Sequence, residues 1–306
     1  MATNTNKGGG VYVKMKWLLL VAALAMVIAG CSATAPAKQE MAKPSPTKPR
    51  VAVAIVPQEA FVKAVAGDLV EVVTMIPPGK SPGNYEPAPP EMEKFSRSQI
   101  YFAIGIPTEK ASILPKYKEL NPAMKIISMN DEVKKVYPER EFAPGKRDGH
   151  IWLSPKRAKL MVEIIARELA SLDPSHKDVY NQNAKRYLAE LDKLDQQIKS
   201  SLANLKTKTF IVYHPAFGYF ADDYGLTMIA LEKDGKDITP SELGKIVDEA
   251  KQKGIKVIFY QAEIDSQQTK AFAESIGGKA EQVSPLSGDY INNLAKTATT
   301  FATIMK

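Results

Sequence analysis

Two of the chain's three histidines stand where a fold could bring them together. His150 closes a long polar stretch and precedes Ile151-Trp152-Leu153-Ser154-Pro155, while His214 follows the apolar run Phe210-Ile211-Val212-Tyr213. Neutral imidazole is a common ligand for divalent metal ions, so a pair of them at the mouth of a fold would begin a metal site. Taken singly, such a histidine is more often a hydrogen-bonded structural residue. His176, at the start of a long amphipathic segment, reads as a cap or surface residue. Because the neutral ring is the ligand, metal affinity is expected to fall as pH drops through ~6.5, where histidine ordinarily protonates.

The elements that must position these residues read as two similar halves on either side of one helix. From Asp173 to Leu205, Tyr180, Ala184, Tyr187, Leu188, Leu191, Leu194, Ile198, Leu202 and Leu205 recur at three-and-four spacing, which predicts a helix with one buried stripe. Unbroken, it would run ~48 Å at ~1.5 Å per residue. Asp173 can cap it and Pro174 suits its first position, although 175–180 could form a separate short turn. Before it, strands are expected at 51–56, 69–76, 99–104 and 125–129, with helices at 58–67 and 91–98. After it, strands at 209–213, 226–230, 257–259 and 279–282 alternate with helices at 216–224, 240–253, 266–276 and 289–304. Alternation of this kind argues for parallel sheets with crossover helices. The predicted fold is therefore α/β: two lobes, 51–172 and 207–306, each a small parallel β-sheet flanked by helices, joined by one long α-helix over 173–206. In open parallel sheets ligands sit beyond the carboxyl ends of strands, so the loops after Ile76, Ile104, Met129, Tyr213 and Tyr260 are where chemistry is expected.

The totals narrow the function. A chain of 306 residues with 44% apolar composition can bury a sizeable core. The net charge of +7 comes from lysines and arginines interspersed with acids, and no basic stripe with interleaved aromatics supports nucleic-acid binding. Residues 1–30 read as a signal peptide, with Lys14 and Lys16 before an apolar run, Trp17 to Ile28, that is short for a membrane span. Met15 looks the likelier natural start. Ile28-Ala29-Gly30-Cys31 then resembles a bacterial lipobox, in which Cys31 takes a diacylglycerol. It is the single cysteine, so no intramolecular disulfide and no second thiol ligand are available. The Ala-, Pro- and Lys-rich stretch 31–50 reads as a flexible tether. No phosphate loop, His-Glu-x-x-His helix or Gly-x-Ser-x-Gly elbow is expected, which argues against an enzyme.

Several motifs together resemble the cluster A-I substrate-binding lipoproteins of ABC importers, which serve zinc and manganese uptake. They are the lipobox, Ile76-Pro77-Pro78-Gly79-Lys80-Ser81-Pro82 with Tyr85-Glu86-Pro87, the His150 motif, and Tyr213-His214-Pro215-Ala216-Phe217-Gly218-Tyr219-Phe220. The resemblance covers 50–306 and implies two lobes joined by a rigid helix, with one metal held in the cleft between them. It implies that His150 and His214 are the second and third ligands. The family's first histidine falls where this chain has Gly83-Asn84, and its late aspartate falls on Ser284. Oxygen ligands or waters are then expected to complete the shell, with Glu263 and Gln261 as first candidates and Glu86, Asn84 and Asp289 after them. The loop 130–149, often His-rich in the family, carries Lys134, Lys135, Arg140, Lys146 and Arg147 and is not suited to gathering cations.

The expected function is thus a monomeric, lipid-anchored extracytoplasmic binding protein. It would capture a divalent metal as transported ligand, zinc first with manganese or iron next, and deliver it to an ABC permease. The alternatives are a two-lobed binder of a metal chelate such as haem, siderophore or corrinoid, which would show a wide aromatic cleft with arginines at its rim, or a surface adhesin.

Overall fold

In the computed structural model, residues 48–233, 235–263 and 267–306 are described. The proposed signal peptide and Cys31 lie outside them. The N-terminal half contains β1 (Arg50–Val53), α1 (Val56–Ala66), β2 (Glu71–Thr74), α2 (Pro89–Ser96), β3 (Ile100–Ala103), α3 (Tyr117–Leu120), β4 (Lys125–Ser128), α4 (Met129–Lys134), the hairpin β5 (Glu141–Ala143) and β6 (Lys146–Arg147), and α5 (Pro155–Leu172). After α6 (Lys177–Leu202) come β7 (Thr209–Val212), α7 (Gly218–Tyr224), β8 (Thr227–Ala230), the hairpin β9 (Glu232–Lys233) and β10 (Lys236–Asp237), α8 (Pro240–Gln252), β11 (Val257–Gln261), α9 (Gln267–Ser275), β12 (Lys279–Val283) and α10 (Tyr290–Ile304).

Each half holds a four-stranded, wholly parallel sheet, ordered β2-β1-β3-β4 in one and β12-β11-β7-β8 in the other. Numbered within its own half, each sheet has the same strand order, and the direction of winding reverses between its two central strands. The centre explains the apolar runs: Val51, Ala52 and Val53 of β1 and Phe210, Ile211 and Val212 of β7 are buried, as strands covered on both faces must be. Edge strands such as β2 and β8 have half-exposed patterns.

The helix between the halves follows the second of the two sequence readings at its start, a separate short turn, and ends earlier than expected. Pro174–His176 is a separate 3-10 turn, and α6 covers 26 residues, or ~39 Å. Asp173 causes the break. Its carboxylate accepts from Ser175, from His176 Nδ1 at 2.6 Å and from Tyr180 Oη at 2.8 Å, which tightens the chain before the helix begins. Tyr180, Ala184, Leu191, Leu194, Ile198 and Leu202 form its buried stripe. That stripe packs on α1 and α5 of the first half and on α10 of the second.

The sequence reading placed no element over 155–172, yet α5 fills it with 18 residues. Its start is well marked: the Ser154 hydroxyl accepts from Arg157 N at 3.3 Å and Pro155 occupies the first turn. Ala158, Met161, Val162, Ile165 and Leu169 then form the stripe that faces α6 and the core. No helix among the described residues is long and apolar enough to cross a membrane.

Candidate metal centre

His214 follows β7 directly, at the reversal point between β7 and β11. Tyr213 N donates to Phe259 O at 2.9 Å and continues the ladder one residue past the strand, and Ala216 N then turns back to His214 O at 2.8 Å. On the other side, Asp148 N donates to Arg140 O at 2.9 Å to close the β5–β6 hairpin, and Ile151–Leu153 makes one 3-10 turn before α5. Gly149 between them admits close packing, because a Cβ there would lie 3.4 Å from Ile106 Cγ2 and 3.5 Å from Ile104 O.

The two imidazoles meet, with Nε2 of His150 3.2 Å from Nε2 of His214. Each ring is oriented from behind by a carboxylate. His150 Nδ1 lies 2.7 Å from Asp148 Oδ1, and His214 Nδ1 lies 3.0 Å from both carboxylate oxygens of Glu232. A carboxylate accepts the Nδ1 hydrogen, so the neutral tautomer of each ring carries its lone pair on Nε2. Two lone pairs at that distance repel unless a proton or a metal ion lies between them. Two nitrogens each ~2.0–2.1 Å from a tetrahedral zinc would stand ~3.3–3.4 Å apart.

Asp148 is fully buried and does more than orient a ring. Its Oδ1 also accepts from His150 N at 2.9 Å, and its Oδ2 is 3.2 Å from Arg140 Nε, an ion pair whose alignment is not that of a hydrogen bond. Arg140 reaches on to Asp222 at 2.9 Å. Gly218 makes this possible, since a Cβ there would fall 2.1 Å from Arg140 Nε. The ligand-bearing segment is tied to the second half at further points. Trp152 Nε1 donates to Pro285 O at 2.8 Å, Tyr290 Oη donates to Trp152 O at 2.6 Å, and Tyr219 Oη donates to Asp148 O at 3.2 Å. Arg157, itself buried, pairs with Asp223 at 2.9 Å.

The histidines face a cavity of about 980 Å³ between the two halves. The loop after β3 forms one wall through Gly105, Ile106 and Pro107. Buried Glu109 holds that loop by accepting from Tyr101 Oη at 2.6 Å, Ile104 N at 3.1 Å and Ile106 N at 3.0 Å. Burial pushes its carboxyl upward, and these donors offset part of the rise. The charges on the cavity are Lys110, Arg147, Lys233 and Lys245 against Glu232 and Glu242. Arg147 is engaged at 2.8 Å with both Asp131 and Glu139. The Thr239 amide and hydroxyl hold the Glu242 carboxyl below its usual range. A second hollow, about 720 Å³ along α5 and α6, is lined by alanines and long charged side chains with no histidine.

The other sequence candidates are not all drawn to the histidines. Gln261 ends β11 in the cavity wall, 6% exposed, with its Nε2 buried and without a hydrogen-bond partner among the described residues. Glu263 is half-buried, with one orphaned carboxylate oxygen, but is not among the lining residues. Glu86 and Asn84 are exposed and also outside the lining, whereas Gly83 is in it. Asp289 is engaged with Asn292 at 3.0 Å beside the start of α10. Ser284 is outside the lining, and its neighbours Pro285 and Leu286 are inside it. Among the described residues no three His, Cys, Asp or Glu side chains converge as a metal site. Gly79-Lys80-Ser81-Pro82-Gly83 does spell Gly-x-Ser-x-Gly, but it runs through a proline-bounded loop between β2 and α2, not a strand-to-helix elbow. Of the aromatic, arginine-rimmed cleft that a haem or corrinoid would need, the cavity has the volume, but its aromatic lining is Phe142 and Trp152 and its one arginine is already paired.

Asp148 and Glu232 were missed in the sequence. Asp148 stands two residues before His150 and could have been read as its partner. Glu232 carries no such mark, because it reaches His214 only through the bond from Glu232 N to Tyr213 O at 3.0 Å.

Comparison with known proteins agrees with this architecture. The model of a family described as zinc-uptake complex component A, periplasmic, matches residues 51–304. The high-affinity zinc uptake system protein ZnuA of Bacillus subtilis (strain 168) is 27% identical over 287 residues, covering 89% of either chain. The metal ABC transporter substrate-binding lipoprotein FimA of Streptococcus parasanguinis is 30% identical over 224 residues, 69% of this chain and 72% of that one. A crystal structure of a ZnuA superposes with a TM-score of 0.79 at 34% identity, covering 84% of this chain and 99% of the other.

Proposed function

The chain belongs to the family of periplasmic zinc-uptake components, the substrate-binding proteins of metal ABC importers, and on that premise we propose that it captures one divalent metal ion between His150 and His214 and passes it to the importer's permease. Members of this family are solute-binding proteins and not enzymes. The observation that carries the reading is the 3.2 Å separation of two Nε2 atoms that face each other, each ring backed by a carboxylate. Zinc is favoured, with manganese or iron next, because a site begun by imidazoles suits zinc better than the harder, oxygen-seeking manganese. The Bacillus subtilis relative is named for zinc uptake. We further propose that 1–30 is a lipoprotein signal peptide and that Cys31 anchors the chain outside the cytoplasm, with 51–172 and 207–306 as the two lobes.

The test is elemental analysis with metal-competition titration of the purified protein beside His150→Ala and His214→Ala. About one equivalent of zinc or manganese, lost in both variants, is expected. No tight binding, or binding indifferent to both substitutions, would overturn the assignment. Radiolabelled fatty acid incorporated by the wild type and not by Cys31→Ser tests the anchor.

A further inference from the structure

The cavity is built for more than an ion. Two protein nitrogens are half of a tetrahedral shell, and the wall where further ligands would be expected offers Gly83 on one side and Pro285 and Leu286 on the other. About 980 Å³ is the size of a pocket for a small organic molecule, where a metal ion and two waters at ~30 Å³ each would occupy a small part of it. The lining carries more cations than carboxylates, the wrong sign for a bare divalent ion beside neutral imidazoles. Lys233 and Lys245 lie near the Glu242 carboxylate and help hold it ionised, which leaves Lys110 as the lining lysine without a carboxylate partner among the described residues. Gln261 adds a donor of its own, the amide nitrogen of a residue more than nine-tenths buried on the cavity wall, with no hydrogen-bond acceptor among the described residues. An orphaned buried N–H is costly, so it marks a place where an acceptor belongs.

We propose that the metal is bound as a complex with a small anionic chelator of the polycarboxylate class, whose oxygens complete the coordination shell while the Gln261 amide and the lysines hold its remaining carboxylate. The inference rests on the metal-capture reading above. In the binding step, the two imidazole nitrogens replace two waters on the chelated metal, and two chelator oxygens stay bound. No covalent or redox change is involved. Net positive lining charge then complements the net negative complex.

Equilibrium dialysis of the full chain against labelled zinc and labelled citrate tests this. Citrate retained one-to-one with zinc, and at least tenfold less without zinc, is the expected result. Lys110→Ala and Lys245→Ala should each lower the gain that citrate gives zinc retention by about threefold, as expected of an exposed charge contact. Gln261→Leu should lower it further. The gain is read as the ratio of zinc retained with and without citrate, so a general loss of binding cancels. Gln261→Glu should remove citrate and strengthen retention of zinc alone. Zinc retention that citrate leaves unchanged, or zinc stripped by citrate in step with free zinc, overturns the chelate inference and leaves metal capture standing. Retention of neither overturns both.

Discussion

Replacing Glu232 by Gln isolates what the carboxylate behind His214 contributes. The substitution keeps the side chain's size and changes its charge and hydrogen-bond character. Both oxygens of Glu232 lie 3.0 Å from Nδ1, and its side chain is only 11% exposed, so water cannot take over its role. An amide can satisfy Nδ1 in two ways. With its oxygen toward the ring it preserves the tautomer but withdraws the negative charge behind the ring. With its nitrogen toward the ring it places the imidazole hydrogen on Nε2, where the metal is to bind. Loss of such an outer partner typically costs 10–100-fold in metal affinity, ~1.4–2.8 kcal/mol. Competition against a fluorescent zinc chelator at fixed pH and ionic strength would measure it, with the thermal midpoint confirming the fold. Affinity within twofold of wild type in a folded variant would refute the claim that this carboxylate sets the ring. Asp148 is the less clean target, because it also faces Arg140 at 3.2 Å and its loss would disturb the tie between the halves.

Arg157→Ala removes one side of an ion pair whose two side chains are each 5% exposed, leaving Asp223 buried with Lys156 as its remaining cation. A destabilisation of about 3 kcal/mol in chemical denaturation is expected, and a change under 1 kcal/mol would show the pair to be incidental. Asp173 has its carboxyl held down to about 2 from 3.8, first by the Ser175 hydroxyl and then by His176 and Tyr180. A depressed native value favours the ionised form, so the stabilisation is complete above ~3.9, where the unfolded carboxyl is ionised, and is lost as pH falls through about 2. The stability gap between wild type and Asp173→Asn should accordingly be flat above pH ~4 and close below it. A gap that widens on acidification would reverse the assignment.

The alternation of elements was legible because the central strands are buried on both faces and therefore read as unbroken apolar runs: Val51-Ala52-Val53 and Phe210-Ile211-Val212 announce themselves. The two histidines were legible for a related reason, since strand ends and helix starts in such a fold converge on one rim. What stayed hidden depends on contacts between distant parts of the chain. Helix α5 had a cap and a periodic stripe and could have been read. The break at Pro174–His176 depends on three donors meeting Asp173, and sequence left it as one of two options. Glu232 reaches His214 only after β8 and β9 have folded beside β7, so no local spacing marks it. The apolar, cation-rimmed cavity likewise exists only once the loops after β3, β7 and β12 face one another.

The ties from Trp152 to Pro285 and from Tyr290 to Trp152 bear on how cargo is let go. On the proposed reading, the turn that bears His150 is already pinned across the gap, so the arrangement that binds is the one the structure holds. Little of the coordination energy is then diverted into reshaping the protein, and intrinsic and apparent affinity nearly coincide. On that reading, the same ties resist opening at unloading. Either a stronger donor in the membrane component would then outcompete the imidazoles, or Trp152 would have to be prised from Pro285 and Tyr290.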